Sequence, residues 1–382
     1  MDTTQTLVRT EHNLSTWRSL AEVAVDGLHR IYGSAGDGLP HTMRWNGERA
    51  TARGHNPRYA VIALLGLAKA KDVVGVQTAL AESLWKRIAK SMDTLEASAG
   101  DLGLGLWARA LHLEGGDEFT AERALDVYRG RPNVCDSVHL AWLLLGAEHA
   151  AKRGMDVARA GQLAQDAKSG LLRLYNRDTA LFYRHSRRGW TSSVSRRIPC
   201  FAHQIYPVMA LAVHARRTSC SESASAAQTV AENLCRLQGE RGQWWWLYDA
   251  EVGGVVDGYP VFSVHQDGMA PMALWETSRT TGRDFTASVE QGLAWLSGGN
   301  ELRTDMVLRD EHLILRDIHR QGVGRVRRMV HGTLWCCGWR GDAQTDGASA
   351  RCERNAECRP YHLGWVLYAA ALAVQAASGR TD

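Results

Sequence analysis

The sequence predicts an all-α chain folded as an (α/α)6 barrel, a toroid of six helical hairpins with short β-hairpin or loop insertions, in one domain over residues 1–382. Three observations predict it. Apolar residues recur at three- and four-residue spacing along most of the chain, which is the helical period. The segments alternate between ones apolar on every side and ones with a charged face, as buried and covering helices do. The repeat is irregular, which fits a closed ring with loop insertions better than an open solenoid of uniform units.

Helical segments run roughly over 14–33, 57–72, 77–97, 101–114, 118–129, 135–153, 157–175, 200–217, 221–238, 264–281, 284–297 and 360–378. Those starting at 57, 101, 135, 200, 264 and 360 are the apolar ones, with runs such as AVIALLGLA and GWVLYAAALAV. Those at 77, 157, 221 and 284 are amphipathic. Each buried helix is thus followed by a covering one, and segment 14–33 covers the last. Punctuation agrees. Asn56 and Pro57 read as an N-cap followed by proline at the first helical position. Asp101 opens one helix, and Ser263 with Gln266 has the spacing of a capping box. Pro360 opens the last helix. Residues 176–197, 241–262 and 299–358 read as hairpins or ordered loops, with a candidate strand at Leu313–Leu315.

Composition narrows the function classes. With 45 basic against 41 acidic residues the net charge is +4, too balanced to point to nucleic acid or an anionic membrane. The polar start, MDTTQTLVRTEHN, lacks the apolar core of a secretion signal. No uninterrupted apolar run is long enough to cross a bilayer. The eight cysteines then read as reduced thiols, and the expected location is the cytoplasm.

In such a ring the buried helices run in one direction, so their N-terminal ends share one mouth. Polar residues gather at those ends: Arg58 and Tyr59; Asp101; Asp136 and His139; His203, Gln204 and Tyr206; His265, Gln266 and Asp267; Tyr361 and His362. The C-terminal halves read as nearly all aliphatic. Polar groups at one end of buried helices are costly unless they face a cavity, so a substrate pocket is expected there. Asp101 and Asp136 can also be helix caps, and His139 and His362 can be core histidines. Asp267 is harder to assign to structure, because it lies one residue beyond the capping box in an apolar and aromatic run. Desolvation there would favour the protonated carboxyl that a general acid needs. Asp136 or Asp249 is the candidate base; His265 is a further catalytic candidate, and because it lies two residues from Asp267 on a helix the two are expected to meet through the substrate or through Tyr361 and His362 of the next buried helix. Trp244, Trp245 and Trp246 are adjacent, so they cannot all enter one core, and at least one should face the pocket. With Tyr248 and Trp365 they supply aromatic surface for sugar stacking or for a cation.

No P-loop, dinucleotide fingerprint or nucleophile elbow is present, and no cofactor is expected. Cys336, Cys337, Cys352 and Cys358, with His331 and His362, lack the short paired spacing of a structural zinc site. Metal binding by them is left open. The sequence does not address oligomeric state.

The helix pattern resembles the α/α-toroid superfamilies: six-hairpin glycosidases, sugar epimerases of the N-acylglucosamine 2-epimerase type, polysaccharide lyases and terpenoid cyclases. One motif points to the cyclases, because Gln238–Trp244 fits their Q-x3-G-x-W repeat. Their D-x-D-D acid motif is absent. The resemblance implies a small-molecule or oligosaccharide substrate. A carbohydrate-active enzyme would use Asp267 as acid and Asp136 or Asp249 as base, with indoles as sugar platforms. A terpenoid cyclase would use Asp267 to protonate an alkene. A non-catalytic binding toroid would have its mouth aspartates tied up as caps or ion pairs.

Overall fold

The computed structural model describes residues 3–34, 39–71, 78–92, 98–112, 118–187, 189–322, 325–339 and 351–378. The chain is mostly helical, with small antiparallel sheets. It begins with α1 (Thr3–Ser34), β1 (Pro40–Trp45), β2 (Ala50–His55), α2 (Pro57–Ala70), α3 (Thr78–Met92), α4 (Ala99–His112) and α5 (Ala121–Gly130). Then come α6 (Ser137–Lys152), α7 (Val157–Leu174), β3 (Tyr175–Asn176), β4 (Leu181–Phe182), α8 (Trp190–Arg197), α9 (Ala202–Thr218) and α10 (Ser221–Leu237). Strands β5 (Leu247–Tyr248), β6 (Val255–Asp257) and β7 (Val261–Phe262) lead to a π-helical turn (His265–Met269), α11 (Ala270–Thr281) and α12 (Thr286–Leu296). The last elements are β8 (Val307–Leu308), β9 (Leu313–Ile314), β10 (Asp317–Arg320), α13 (Arg325–Cys336), β11 (Cys352–Asn355), β12 (Glu357–Cys358) and α14 (Pro360–Ala377). Two compact units are formed: Met1–Leu95 with Met306–Arg316 and Ala356–Asp382, and Glu96–Asp305 with Asp317–Asn355.

In the first unit α2 and α14 lie side by side and run the same way. Tyr59 and Tyr361 stack near their starts at 4.6 Å between ring centroids, and Lys69 and Tyr368 meet a few turns later. Gly364 allows the close approach: a Cβ there would lie 2.5 Å from the Ile62 carbonyl oxygen. Both helices are buried nearly all round, which is why their sequences lack a polar face. α3 covers α2, and α1 covers α14. Strand β1 pairs with β2 and with β12.

In the second unit α4, α6, α9 and α11 are parallel neighbours. At their starts, Gly100 lies against the His139 ring, Ser137 Oγ donates to the His203 carbonyl at 3.1 Å, and Phe201 packs on His265 at 4.5 Å. At their ends, Arg153 Nε donates to the Ala110 carbonyl at 3.1 Å and Thr280 Oγ1 to the Ala212 carbonyl at 3.0 Å. α5, α7, α10 and α12 each pack on the buried helix they follow. The parallel buried helices and their covers match the alternation read from the sequence.

Several local expectations change. The C-terminal halves are not purely aliphatic. Glu148 is buried with His214 Nδ1 at 2.6 Å and with Arg217, and Glu276 is buried with Arg216 at 2.8 Å. These charges are accommodated because each has an opposite partner. Ser98 caps α4 by accepting the Asp101 amide, and Asp101 is inside the first turn, its Oδ2 accepting the Ser98 hydroxyl at 2.7 Å. Residues 190–197 and 325–336 are helices, not loops. α8 and α13 are anchored by a small apolar cluster of Val194, Ile198, Leu247, Val256, Trp335 and Cys336, a tertiary effect that local periodicity does not reveal. Pro40–Trp45 and Ala50–His55, to which the helical period assigns no element, pair as the β1–β2 hairpin.

Candidate active site

The N-terminal ends of α6 and α9 meet through side chains. Asp136 is the N-cap of α6: its Oδ1 accepts the amides of Val138 at 3.1 Å and His139 at 3.0 Å, satisfying donors that a helix start leaves open. The His139 ring closes the capping box onto the Asp136 amide. The other oxygen, Oδ2, lies 3.2 Å from His203 Nε2 and 3.9 Å from Arg184 Nε. His203 Nδ1 in turn lies 3.0 Å from Cys200 Sγ. The Asp136 side chain retains 16% exposure, so this group of side chains is partly open.

Electrostatics follow from these contacts. Burial pushes the Asp136 carboxyl up, but the hydrogen bond and charge of His203, the His139 charge and the His139 amide outweigh it and hold it well below the usual carboxylate range. Burial pushes His203 down, but the Cys200 charge and the bonds to Asp136 and Cys200 win and raise it to about 9. At neutral pH the pair is a carboxylate beside an imidazolium.

The start of α11 is shaped by proline. Pro271 has no amide to give the Asp267 carbonyl four residues back. The preceding turn is widened instead, and the Ala270 amide bonds the His265 carbonyl five residues back. Such π insertions are frequent at functional sites. The Ser263–Gln266 capping box is replaced here, with the Gln266 side-chain Nε2 donating to the Phe262 carbonyl at 3.2 Å. His265 is enclosed by Phe201, Phe262 and Trp246, the last stacked at 6.0 Å and 15°. Asp267 is wholly enclosed, with 0% exposure.

The three tryptophans diverge, as adjacency requires. Trp244 and Trp245 are buried, against Phe201 and Tyr259 respectively, while Trp246 is partly exposed over His265. Tyr248 is buried, and burial pushes its phenol far above the ordinary range. Asp249 is also buried. It receives Arg197 through two bonds (2.9 and 2.7 Å), Trp335 Nε1 at 2.8 Å and the amides of Glu251 and Val252. Burial raises its pKa, and the Arg197 and Trp335 bonds more than reverse that. The Q-x3-G-x-W run is a brace: Gln238 Nε2 donates to the Gly242 and Ser288 carbonyls, both at 3.0 Å. Gly242 sits at φ +91°, where a Cβ would strike the Gln291 carbonyl.

Gln204 is buried and spends its carboxamide on both backbone groups of Phe182, at 2.7 and 2.8 Å. His139, Trp142 and Tyr206 form an edge-to-face chain. In the first unit Arg58 is exposed, and Tyr59 lies between His41 and Tyr361. His362 and Trp365 are buried, the latter against Tyr368. Among the described residues no three His, Cys, Asp or Glu side chains are placed to share a metal ion. Cys200, Arg184 and Arg197 escaped the sequence reading. The signal for Cys200 is its spacing, three residues before His203 at a helix start.

No protein-family model matches the chain, and no curated protein matches it. Solved structures do. An unsaturated glucuronyl hydrolase specific for heparin is similar with a TM-score of 0.63 at 14% identity, over 95% of this chain and 98% of its own. A possible GH105 family member from Salmonella enterica gives 0.60 at 9% identity, over 94% of each chain. An α-1,6-mannanase from Salegentibacter sp. gives 0.57 at 12% identity, over 94% of this chain and 99% of its own. The chain shares the fold of these hydrolases along nearly its whole length.

Proposed function

We propose that this protein is a carbohydrate-active enzyme of the glycosidase type, folded as an (α/α)6 barrel over residues 1–382, with its site at the N-terminal ends of α6, α9 and α11. The reading is carried by the fold shared with glycan hydrolases together with Asp136, an ionised carboxylate that caps α6 and pairs with His203 yet stays partly open where two buried helices begin. An inactive variant of the similar mannanase was solved with α-1,6-mannotriose. Asp136 acts as base, taking the proton of the attacking water. Asp267, a wholly buried carboxyl in the π turn, acts as acid, protonating the departing sugar oxygen. Because Asp267 is wholly enclosed, this role requires the π turn to open when substrate enters. Asp249 holds the 249–254 turn to Arg197 and α13, and serves structure. The Q-x3-G-x-W brace needs no cyclase chemistry to account for it. The test is turnover of a panel containing α-1,6-mannotriose and unsaturated glucuronyl disaccharides, read as new reducing ends. Turnover of one panel member supports the reading, and none on any glycan removes it.

Trp246 is the sugar platform of this site. Trp246→Ala is expected to raise KM about tenfold, in line with about 1–1.5 kcal/mol for an aromatic contact, with little change in Tm. Trp244→Ala should instead cost about 3–5 kcal/mol of stability, the scale for a buried indole. A Trp246→Ala protein that loses Tm and turnover in parallel would make Trp246 a core filler.

A further inference from the structure

From Asp136 a line runs on through His203 to Cys200, two groups that glycoside hydrolysis by two carboxylates does not use. Cys200 Sγ is 3.0 Å from one ring nitrogen of His203, and Asp136 Oδ2 is 3.2 Å from the other. The sulfur also faces the amides of Ala202 and His203 at the start of α9, where the helix dipole favours negative charge. Cys200 as a residue is partly exposed, while His203 is buried, so the ring is held beside the thiol. This is the order of roles in an activated nucleophile: a base beside the thiol and a third group that orients the base.

We infer that Cys200 is a nucleophilic modification site, its proton drawn off by His203 and the ring oriented by Asp136, and that it takes soft carbon electrophiles bearing a leaving group. The sulfur lone pair forms an S–C bond, the bond to the leaving group breaks, and the leaving group departs with its electron pair. The proton stays on His203. Burial alone would push the thiol up, but the His203 charge and hydrogen bond and the two amides hold it below its ordinary value. The other titratable or charged groups around this line are His139 on α6, Arg184 and His185 after β4, Tyr248 on β5 and His265 in the π turn. Nothing in the inference depends on the glycan reading.

The test is the rate of alkylation by iodoacetamide, followed peptide by peptide by mass spectrometry on the folded protein. Cys337, which is exposed, is the internal reference. At about pH 6.5, two units below the pKa of about 8.5 for a free thiol, Cys200 should react at least about tenfold faster than Cys337. Its rate should rise little from there to about pH 8.5. His203→Gln should remove that advantage and restore the steep rise of an ordinary thiol. Asp136→Asn, whose new side chain can still cap α6, should reduce it in part. A Cys200 rate that climbs through about pH 8.5 in step with Cys337 overturns the inference. So does a folded protein in which Cys200 is unreactive at every pH, or a His203→Gln protein, folded by circular dichroism, with an unchanged profile.

Discussion

Asp136→Asn is expected to fold as the parent does and to lose about 100-fold or more of its oligosaccharide turnover, the scale of general base catalysis. Folding should survive because asparagine caps helices about as well as aspartate. Its oxygen can still accept the amides of Val138 and His139 that Asp136 Oδ1 accepts now. What disappears is the negative charge beside His203. With the Cys200 charge, which acts on His203 more strongly, the Asp136 bond and charge also leave a mark on stability. His203 is raised in the folded protein to about 9 from 6.5. Its contribution is therefore complete below pH 6.5 and is lost as pH climbs through about 9. Asp136 is depressed, so its contribution is present above the ordinary carboxylate value and is lost in acid. Tm of the parent should fall between neutral and alkaline pH more than Tm of Asp136→Asn. Paired measurements of Tm and turnover on the two proteins check both statements. A variant with parental turnover would exclude Asp136 as the base.

Asp267→Asn is expected to be as severe, by about 100-fold or more, for the opposite reason. The amide keeps the shape of the carboxyl but has no acid proton to give to a leaving group. Stability should hold, because the substituted group is the same size and remains enclosed where Asp267 has 0% exposure. The distinguishing readout is the leaving group. Substrates whose departing alcohol is already acidic, such as nitrophenyl glycosides, need little protonation and should be rescued in Asp267→Asn but not in Asp136→Asn. Equal loss on both substrate types would take the acid role away from Asp267.

Much of this architecture was legible in the sequence because helices announce themselves by period. The apolar runs of α2 and α14 read as buried on every side, and they are. The gathering of polar residues at helix starts was also readable, and Asp136, His139 and His203 do meet in the second unit. Three things were hidden. Partners distant in sequence do not show: Arg197 and Trp335 fill the bonding capacity of Asp249, and Gln204 spends its amide on Phe182. Short helices held by tertiary contact, α8 and α13, carry no strong period of their own. A π turn looks in sequence like an ordinary capped start, and only the missing amide of Pro271 hints at it. Cys200 is a further case of the first: it reads as one free thiol among eight, and its line through His203 to Asp136 joins two helices.

Hydrogen exchange on Asp136→Asn, with and without the oligosaccharide that the parent turns over fastest, tests the central claim most directly. The first amides of a helix exchange readily because they lack helical partners, so a ligand seated on them is visible. The account predicts protection at the starts of α6 and α9 and across the π turn His265–Met269. Protection confined to the other ends of these helices, around Glu148, His214 and Glu276, would contradict it.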